Sequence, residues 1–175
     1  YGLSLDVLAA VVEAVSGKRF EQYVTDNIFI PLGMTHSAYH MHPDFIPRLA
    51  SVYRFNSEKH IAEFTPYHQN EFIFSDEYDS GGAGIISCAE DYIKFADALA
   101  SGGISYNGNR ILNSETIELM KQNVLNENQL KCFHEFGSHF EPYGYGLGVR
   151  TRLHERKSND FIGPDGEFGW GGALG

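Results

Sequence analysis

The first apolar run, LDVLAAVVEAV at residues 5–15, is hydrophobic on nearly every side. That pattern predicts a buried helix from Leu5 to about Ser16, with Ser4 as its cap and Gly17 as its stop. A second, amphipathic helix is expected from about Phe20 to Ile28, with Phe20, Tyr23, Val24 and Ile28 on one side and Pro31 and Gly33 ending it. Residues 49–56 and 60–65 read as two short strands joined by a Ser57-Glu58-Lys59 turn. A polar-aromatic stretch then leads to the small-residue run SGGAG at 80–84. Ser87 and Glu90 have capping-box spacing, ahead of a helix whose apolar side is Tyr92, Ile93, Phe95, Ala96 and Leu99 and whose end is Gly102-Gly103. After an NGNRIL turn, Ser114 caps a fourth helix to about Asn123, with Ile117 and Met120 turned inward. Residues 124–142 show no readable period. YGYGLGVRT at 143–151 reads as one strand whose glycines imply close backbone approach. GPDGE is a turn, and FGWGGALG opens another strand.

These elements make an α+β chain, with a helical region over about 1–142 and sheet strands over about 143–175. The length of 175 residues suffices for one domain with a core, and the hydrophobic share of 42% is that of a globular protein. A net charge of −10 disfavours nucleic acid and anionic membrane surfaces as partners. No apolar run reaches the roughly 18 residues that a membrane span needs. Cys88 and Cys132 read as free thiols.

Candidate chemistry is sparse when residues are read alone. His36, His40 and His42 stand at H-x3-H-x-H spacing, which can suit zinc. Nothing around them predicts a frame that would fix three rings, so the expectation is a solvated loop and no metal site. His60, His68, His134, His139 and His154 are scattered. There is no G-x-S-x-G elbow and no S-x-x-K. The YGYGLG run is not followed by a helix, so no dinucleotide site is expected, and no other cofactor is implied.

Four stretches change this picture. YGLSLDVLAAVVEAVSGKRFEQYVTDNIFIPLGMTHSAY, GGAGIISCAEDYIKFADALASGG, YGYGLGV and FGWGGALG occur in the order and spacing of the serine β-lactamase-related family. The resemblance is to the family of class C β-lactamases, penicillin-binding D-alanyl-D-alanine peptidases and related esterases. It implies a β-lactamase/transpeptidase-like fold, incomplete at both ends. The family attacks a carbonyl with the serine of S-x-x-K, shuttles the proton with a tyrosine usually found in Y-x-N, and lines the oxyanion hole with a K-T-G or H-x-G strand. On that register the S-x-x-K segment lies upstream, and a chain without it is expected to be inactive by itself. Tyr1 takes the place of the catalytic tyrosine. Trp170-Gly171-Gly172 takes the place of K-T-G, and Ala173 offers its backbone N–H to the oxyanion. The resemblance implies that these two ends face one cleft; SGGAG lies near it by analogy or is a plain turn.

The departures are informative. Y-x-N has become Tyr1-Gly2-Leu3, which removes the amide that would hold a peptide or lactam side chain. K-T-G has become Trp-Gly-Gly, which removes the cation that would clamp a substrate carboxylate. An indole offers an apolar face and one N–H. The expected substrate is therefore a neutral small-molecule ester or amide, with esterase-like activity ranked above β-lactamase or peptidase activity. Rival readings are a non-catalytic binding or sensor module on the same fold and an unrelated helical interaction domain. Open strand edges at 143–149 and 168–175 could also support self-association.

Overall fold

The computed structural model describes residues 2–40, 43–65, 78–153 and 163–172. It divides into two compact units, Tyr1–Ile111 and Leu112–Gly175. Helices and small antiparallel sheets make it an α+β structure, as expected.

The first unit begins with helix α1, Ser4–Ser16. Ser4 is already helical; Leu3 holds the N-cap position without a side-chain bond, so the expected serine cap is absent. Gly17 does stop the helix, in the left-handed region at φ 69°, with its N–H donating to the Glu13 carbonyl. The expectation that α1 is buried is overturned. Of its residues only Ala9 is buried, while Val7 is 63% and Val15 83% exposed. Hydrophobic periodicity reports which surface favours leaving water; it does not supply the element that covers it. The Ala9 side meets the SGGAG run, where a Cβ on Gly81 would collide with the Leu5 carbonyl.

Helix α2, Phe20–Val24, passes through a π turn, Thr25–Phe29, into α3, Ile30–Leu32. Pro31 therefore lies within the helical run instead of ending it. A π turn shifts the hydrogen-bond ladder by one residue, and the missing proline N–H falls where the ladder is already interrupted. Gly33, at φ 66°, is the actual stop, and the Met34 N–H reaches back to the Phe29 carbonyl. Two carboxylates cap the start of α2: Glu13 accepts from the Phe20 N–H at 2.8 Å and Asp79 from the Glu21 N–H at 3.0 Å. Val24, Phe29, Leu32, Met34, Tyr39 and Ala98 form the core of this unit, with Phe20, Ile28, Phe95 and Ile111 packed around it.

Strands β1, Tyr53–Asn56, and β2, Ile61–Phe64, pair antiparallel as a hairpin, shorter than expected but in the expected place. Asn56 Oδ1 accepts from the Glu58 and Lys59 N–H groups in the turn. Residues 66–77, which hold the polar-aromatic stretch and His68, lie outside the described residues, as do His42 and His154.

Helix α4, Ala89–Ala100, starts at Cys88 and not at Ser87. The Ser87 hydroxyl instead lies 2.8 Å from that of Ser37, so the expected capping box does not form. The inward face is also rotated. Tyr92 and Ile93 are exposed, and the buried residues are Asp91 and Ala98. The reason is electrostatic. Asp91 is fully buried and accepts from the His36 N–H at 2.6 Å, the Ser37 hydroxyl at 3.0 Å and Lys94 Nζ at 3.0 Å. Lys94 also donates to the Gly33 carbonyl at 2.7 Å. Satisfying these groups turns Asp91 inward at the expense of Tyr92 and Ile93, while Phe95, Ala96 and Leu99 remain partly buried as expected and Phe95 packs on the core.

In the second unit, α5 spans Ser114–Lys121 with Asn113 at its N-cap, so Ser114 is again helical and not a cap; Ile117 is buried as expected. Residues 124–142, unreadable in sequence, contain helix α6, Glu127–His134, and a 3-10 turn, Ser138–Phe140. The run 143–151 is not one strand. It is a hairpin of β3, Tyr143–Tyr145, and β4, Arg150–Arg152, reversed between them with Gly148 at φ 78°. Strand β5, Phe168–Gly169, adds antiparallel to β4 after the GPDGE turn, giving the order β3-β4-β5.

The Asp91 network yields a stability prediction. Burial by itself pushes the Asp91 pKa up, but the bonds from Lys94, the His36 N–H and Ser37 outweigh it and hold the carboxyl below its ordinary 3.8. A depressed carboxyl pKa contributes stability that is present above the unfolded-state value and lost as pH falls through the folded one. Asp91→Asn is expected to cost about 3 kcal/mol at neutral pH, because it strands a half-buried Lys94. Denaturant unfolding should show the gap from wild type closing as pH falls below 3.8.

Candidate functional site

Five of the residues singled out from sequence are Tyr1, Trp170, Gly171, Gly172 and Ala173. Tyr1 and Ala173 lie outside the described residues; the other three are described and follow strand β5 directly. Their surroundings belong to the second unit.

Trp170 sits in a nest of aromatic rings. Phe140 stacks on it at 6.0 Å between centroids, Phe133 tilts against it at 6.4 Å, and Tyr145 meets it edge-on at 5.4 Å. Phe133 also packs edge-on against Phe140 at 4.9 Å. These offset and perpendicular arrangements are the ones that ring quadrupoles favour. Beside the cluster lies a shallow apolar pocket of about 510 Å³, wide open to solvent and walled chiefly by Leu125, Cys132, Phe133, Phe136, Tyr145 and Trp170. Trp170 remains 42% exposed, so its indole is partly open.

Local chemistry explains why these rings converge. Helix α6 presents Phe133, and it begins with a complete capping box: Asn126 Oδ1 accepts from the Gln129 N–H and Gln129 Oε1 from the Asn126 N–H, each at 3.0 Å. Strand β3 presents Tyr145 and is stitched to the segment after α5. The Val124 N–H donates to the Tyr145 carbonyl at 2.9 Å, and the Tyr145 N–H donates to Asn123 Oδ1 at 3.1 Å. This close approach demands glycine. A Cβ on Gly144 would strike the Asn123 side chain, and one on Gly146 would strike the Met120 carbonyl. On the far side of β4, Glu167 joins Arg150 at 3.2 Å and accepts from the Tyr143 hydroxyl at 3.1 Å, while Arg150 lies over the Tyr143 ring at 4.5 Å. Burial, then the Glu167 bond, pushes the Tyr143 phenol above its ordinary pKa, so it stays a neutral donor.

Gly171 differs from its counterparts in β3 and the following turn. A Cβ built there meets nothing within 4 Å, and its φ lies outside the left-handed region. Among the described residues, none packs close enough to require glycine at this position. Sequence reasoning identified Trp170 but missed Phe133, Phe136, Phe140 and Tyr145 as its neighbours. The available signal was the N-x-x-Q spacing of Asn126 and Gln129, which marks the start of α6.

In the first unit the SGGAG run docks on the first turn of α1. Ser80 donates to Asp6 at 2.7 Å, and its hydroxyl accepts from the Gly82 and Ala83 N–H groups. Hydrogen bonds from Tyr78 and Ser80 hold the Asp6 carboxyl below its ordinary range. The histidine run is not a solvated loop. Ala38 bridges to Ile86, Tyr39 is 3% exposed, and His36 and His40 are half-buried in two separate polar clusters.

Residues 2–175 match the profile described as Beta-lactamase. The chain belongs to the beta-lactamase family. Among its relatives, an uncharacterized protein of Mycobacterium tuberculosis (strain CDC 1551 / Oshkosh) is 28% identical over the whole chain, which spans 43% of that relative. The acyltransferase mokF of Monascus pilosus is 30% identical over 71% of this chain and 29% of its own length. The LovD6 mutant of simvastatin synthase from Aspergillus terreus superposes with a TM-score of 0.73 at 25% identity, over 87% of this chain and 39% of that one. EstCE1, a hydrolase with promiscuous acyltransferase activity, gives 0.65 at 24%, over 87% and 40%. The α+β fold of the beta-lactamase and transpeptidase group is thereby shown, and this chain spans less than half the length of these relatives.

The two glycines predict opposite outcomes. Gly171→Ala should change unfolding free energy by less than about 0.5 kcal/mol. Gly146→Ala should cost about 2 kcal/mol through overpacking against α5. Equilibrium denaturation of the two variants checks both.

Proposed function

We propose that the protein to which this chain belongs is a serine hydrolase or acyl transferase that forms an acyl-enzyme from a neutral, apolar ester. The observation that carries this reading is the apolar pocket of about 510 Å³ against Trp170, beside a glycine with open space in front of it. An alkyl or aryl acyl group gains about 25 cal/mol per Å² on leaving water for such walls. None of the six principal wall residues is a cation that would pair with the carboxylate of a lactam antibiotic or a cell-wall peptide.

The roles follow the family register. Tyr1 is the proton shuttle, and the nucleophile is the serine of an S-x-x-K segment that these 175 residues do not contain. The serine oxygen attacks the ester carbonyl while its proton passes to the tyrosine oxygen. The oxyanion is held by an N–H at Ala173 and returns its electron pair as the alkoxide leaves, protonated by Tyr1. A phenol acts as a base at neutral pH only with a cation beside it, which the lysine of S-x-x-K would supply. Gly171 leaves the strand backbone bare, so a carbonyl can approach it without meeting a side chain. Relatives are named as an acyltransferase and as methylbutanoyltransferases, and an acyl-enzyme can pass its acyl group to an alcohol as well as to water.

The test is a series of p-nitrophenyl esters of increasing acyl length, assayed on the full-length protein with a chromogenic cephalosporin alongside. Turnover should favour the longer apolar esters over the cephalosporin; the reverse preference overturns the reading. Tyr1→Phe should lower kcat by about 100-fold or more, the size of a lost proton transfer. Trp170→Ala should lower kcat/KM for the longest ester by about tenfold, from the loss of roughly 1.5 kcal/mol of apolar contact, and for acetate much less.

A further inference from the structure

Helix α1 is inverted: its polar side faces the protein and its apolar side faces out. Asp6, Ala9, Val12, Glu13 and Ser16 are its buried or half-buried residues, and they share one stripe. Asp6 accepts from the Ser80 hydroxyl at 2.7 Å, and Glu13 accepts from the Phe20 N–H at 2.8 Å. On the opposite stripe stand Val7, Leu8, Val11 and Val15, each at least 50% exposed. A helix built to face water has the reverse arrangement, apolar in and charged out. Turning α1 over would break both carboxylate bonds, so the aliphatic stripe is left for something else to cover.

We propose, resting on the acyl-enzyme reading above, that this stripe seats the S-x-x-K segment of the same polypeptide, which these 175 residues do not contain. They span less than half the length of the relatives named above, so more than half of such a family member lies elsewhere. Proximity selects the segment. Tyr1 precedes Ser4, the first residue of α1, by three positions, and three residues of chain span at most about 11 Å. A serine that gives its proton to the Tyr1 oxygen comes within hydrogen-bond reach of it, about 2.6–3.2 Å. The segment that carries the serine is thereby brought to the first turns of α1, where Val7 and Leu8 open the stripe. From Val7 to Val15 the stripe runs about 12 Å, roughly two turns of helix. The i, i+3 spacing puts serine and lysine on one side of a helix and leaves another side free for apolar contact.

Other covers match the stripe less well. Four aliphatic side chains over about 12 Å fall short of the roughly 800 Å² per partner that a stable dimer buries. A helix that lies on a membrane carries lysine and arginine on its polar face. The polar face of α1 holds Asp6 and Glu13, and Ser4–Ser16 contains no basic residue.

Photo-crosslinking of the full-length protein tests the assignment, with p-benzoylphenylalanine in place of Val11 or, in a second protein, of Val15. Irradiation should give an intrachain product, in which peptide mass spectrometry finds α1 joined to the S-x-x-K peptide. The milder variant Val11→Cys keeps burial measurable where the larger group impairs folding. Maleimide labelling at residue 11 should be at least about 100-fold slower in the folded protein than in denaturant, at every protein concentration. A product joined to any other segment overturns the proposal, as does an interchain product, or labelling as fast as in denaturant. Ester turnover with a crosslink elsewhere sinks the seat alone. A crosslink to the S-x-x-K peptide without turnover of ester or cephalosporin leaves the seat standing and sinks the acyl-enzyme reading.

Discussion

The Asp91 carboxylate is cut off from water, and a buried charge must find its hydrogen bonds inside the protein. It finds them on two segments that are distant in sequence: the turn after α3, through His36 and Ser37, and its own helix, through Lys94. Lys94 then reaches the Gly33 carbonyl and closes the circuit. The end of one helical run is thereby locked to the start of another, and the Ala38–Ile86 bridge and the core around Leu32 and Ala98 lie within the frame so defined. Apolar packing fills this frame, but charge satisfaction sets its register.

Much of the element order was legible because local signals and final structure agreed. Gly17, Gly33 and Gly102 all adopt left-handed conformations at helix ends, where backbone physics leaves few other residues. The β1–β2 hairpin and the GPDGE turn followed from turn chemistry. The errors share a cause: each came from giving a local pattern a role that tertiary contacts had reassigned. Ser4, Ser87 and Ser114 were good cap candidates by type, yet the chain placed Leu3, Cys88 and Asn113 at those positions. Tyr92 and Ile93 obeyed the helical period but yielded the inward face to Asp91. YGYGLGVRT has strand composition throughout, and only the reversal at Gly148 splits it in two.

Of the candidate site, Trp170 was legible through family register, while the rings around it were not. Phe133 and Phe136 sit in a stretch with little apolar periodicity, and their meaning depends on a helix start made by two amides, Asn126 and Gln129. The wall they build with Leu125 and Tyr145 turns a strand-end tryptophan into one side of a shallow, open apolar groove. That distinction governs the chemistry. An isolated indole at a strand end is a surface residue, whereas an indole facing other apolar groups across a pocket can desolvate an acyl chain.

The glycines near the pocket therefore divide the sequence space around it unequally. At 144 and 146 every other amino acid must displace neighbouring atoms of the protein itself, so variation there is spent on foldability. At 171 a new Cβ meets nothing within 4 Å among the described residues. A directed-evolution library that holds the first two fixed and randomises the third would sample side chains at this strand end almost separately from the packing around β3.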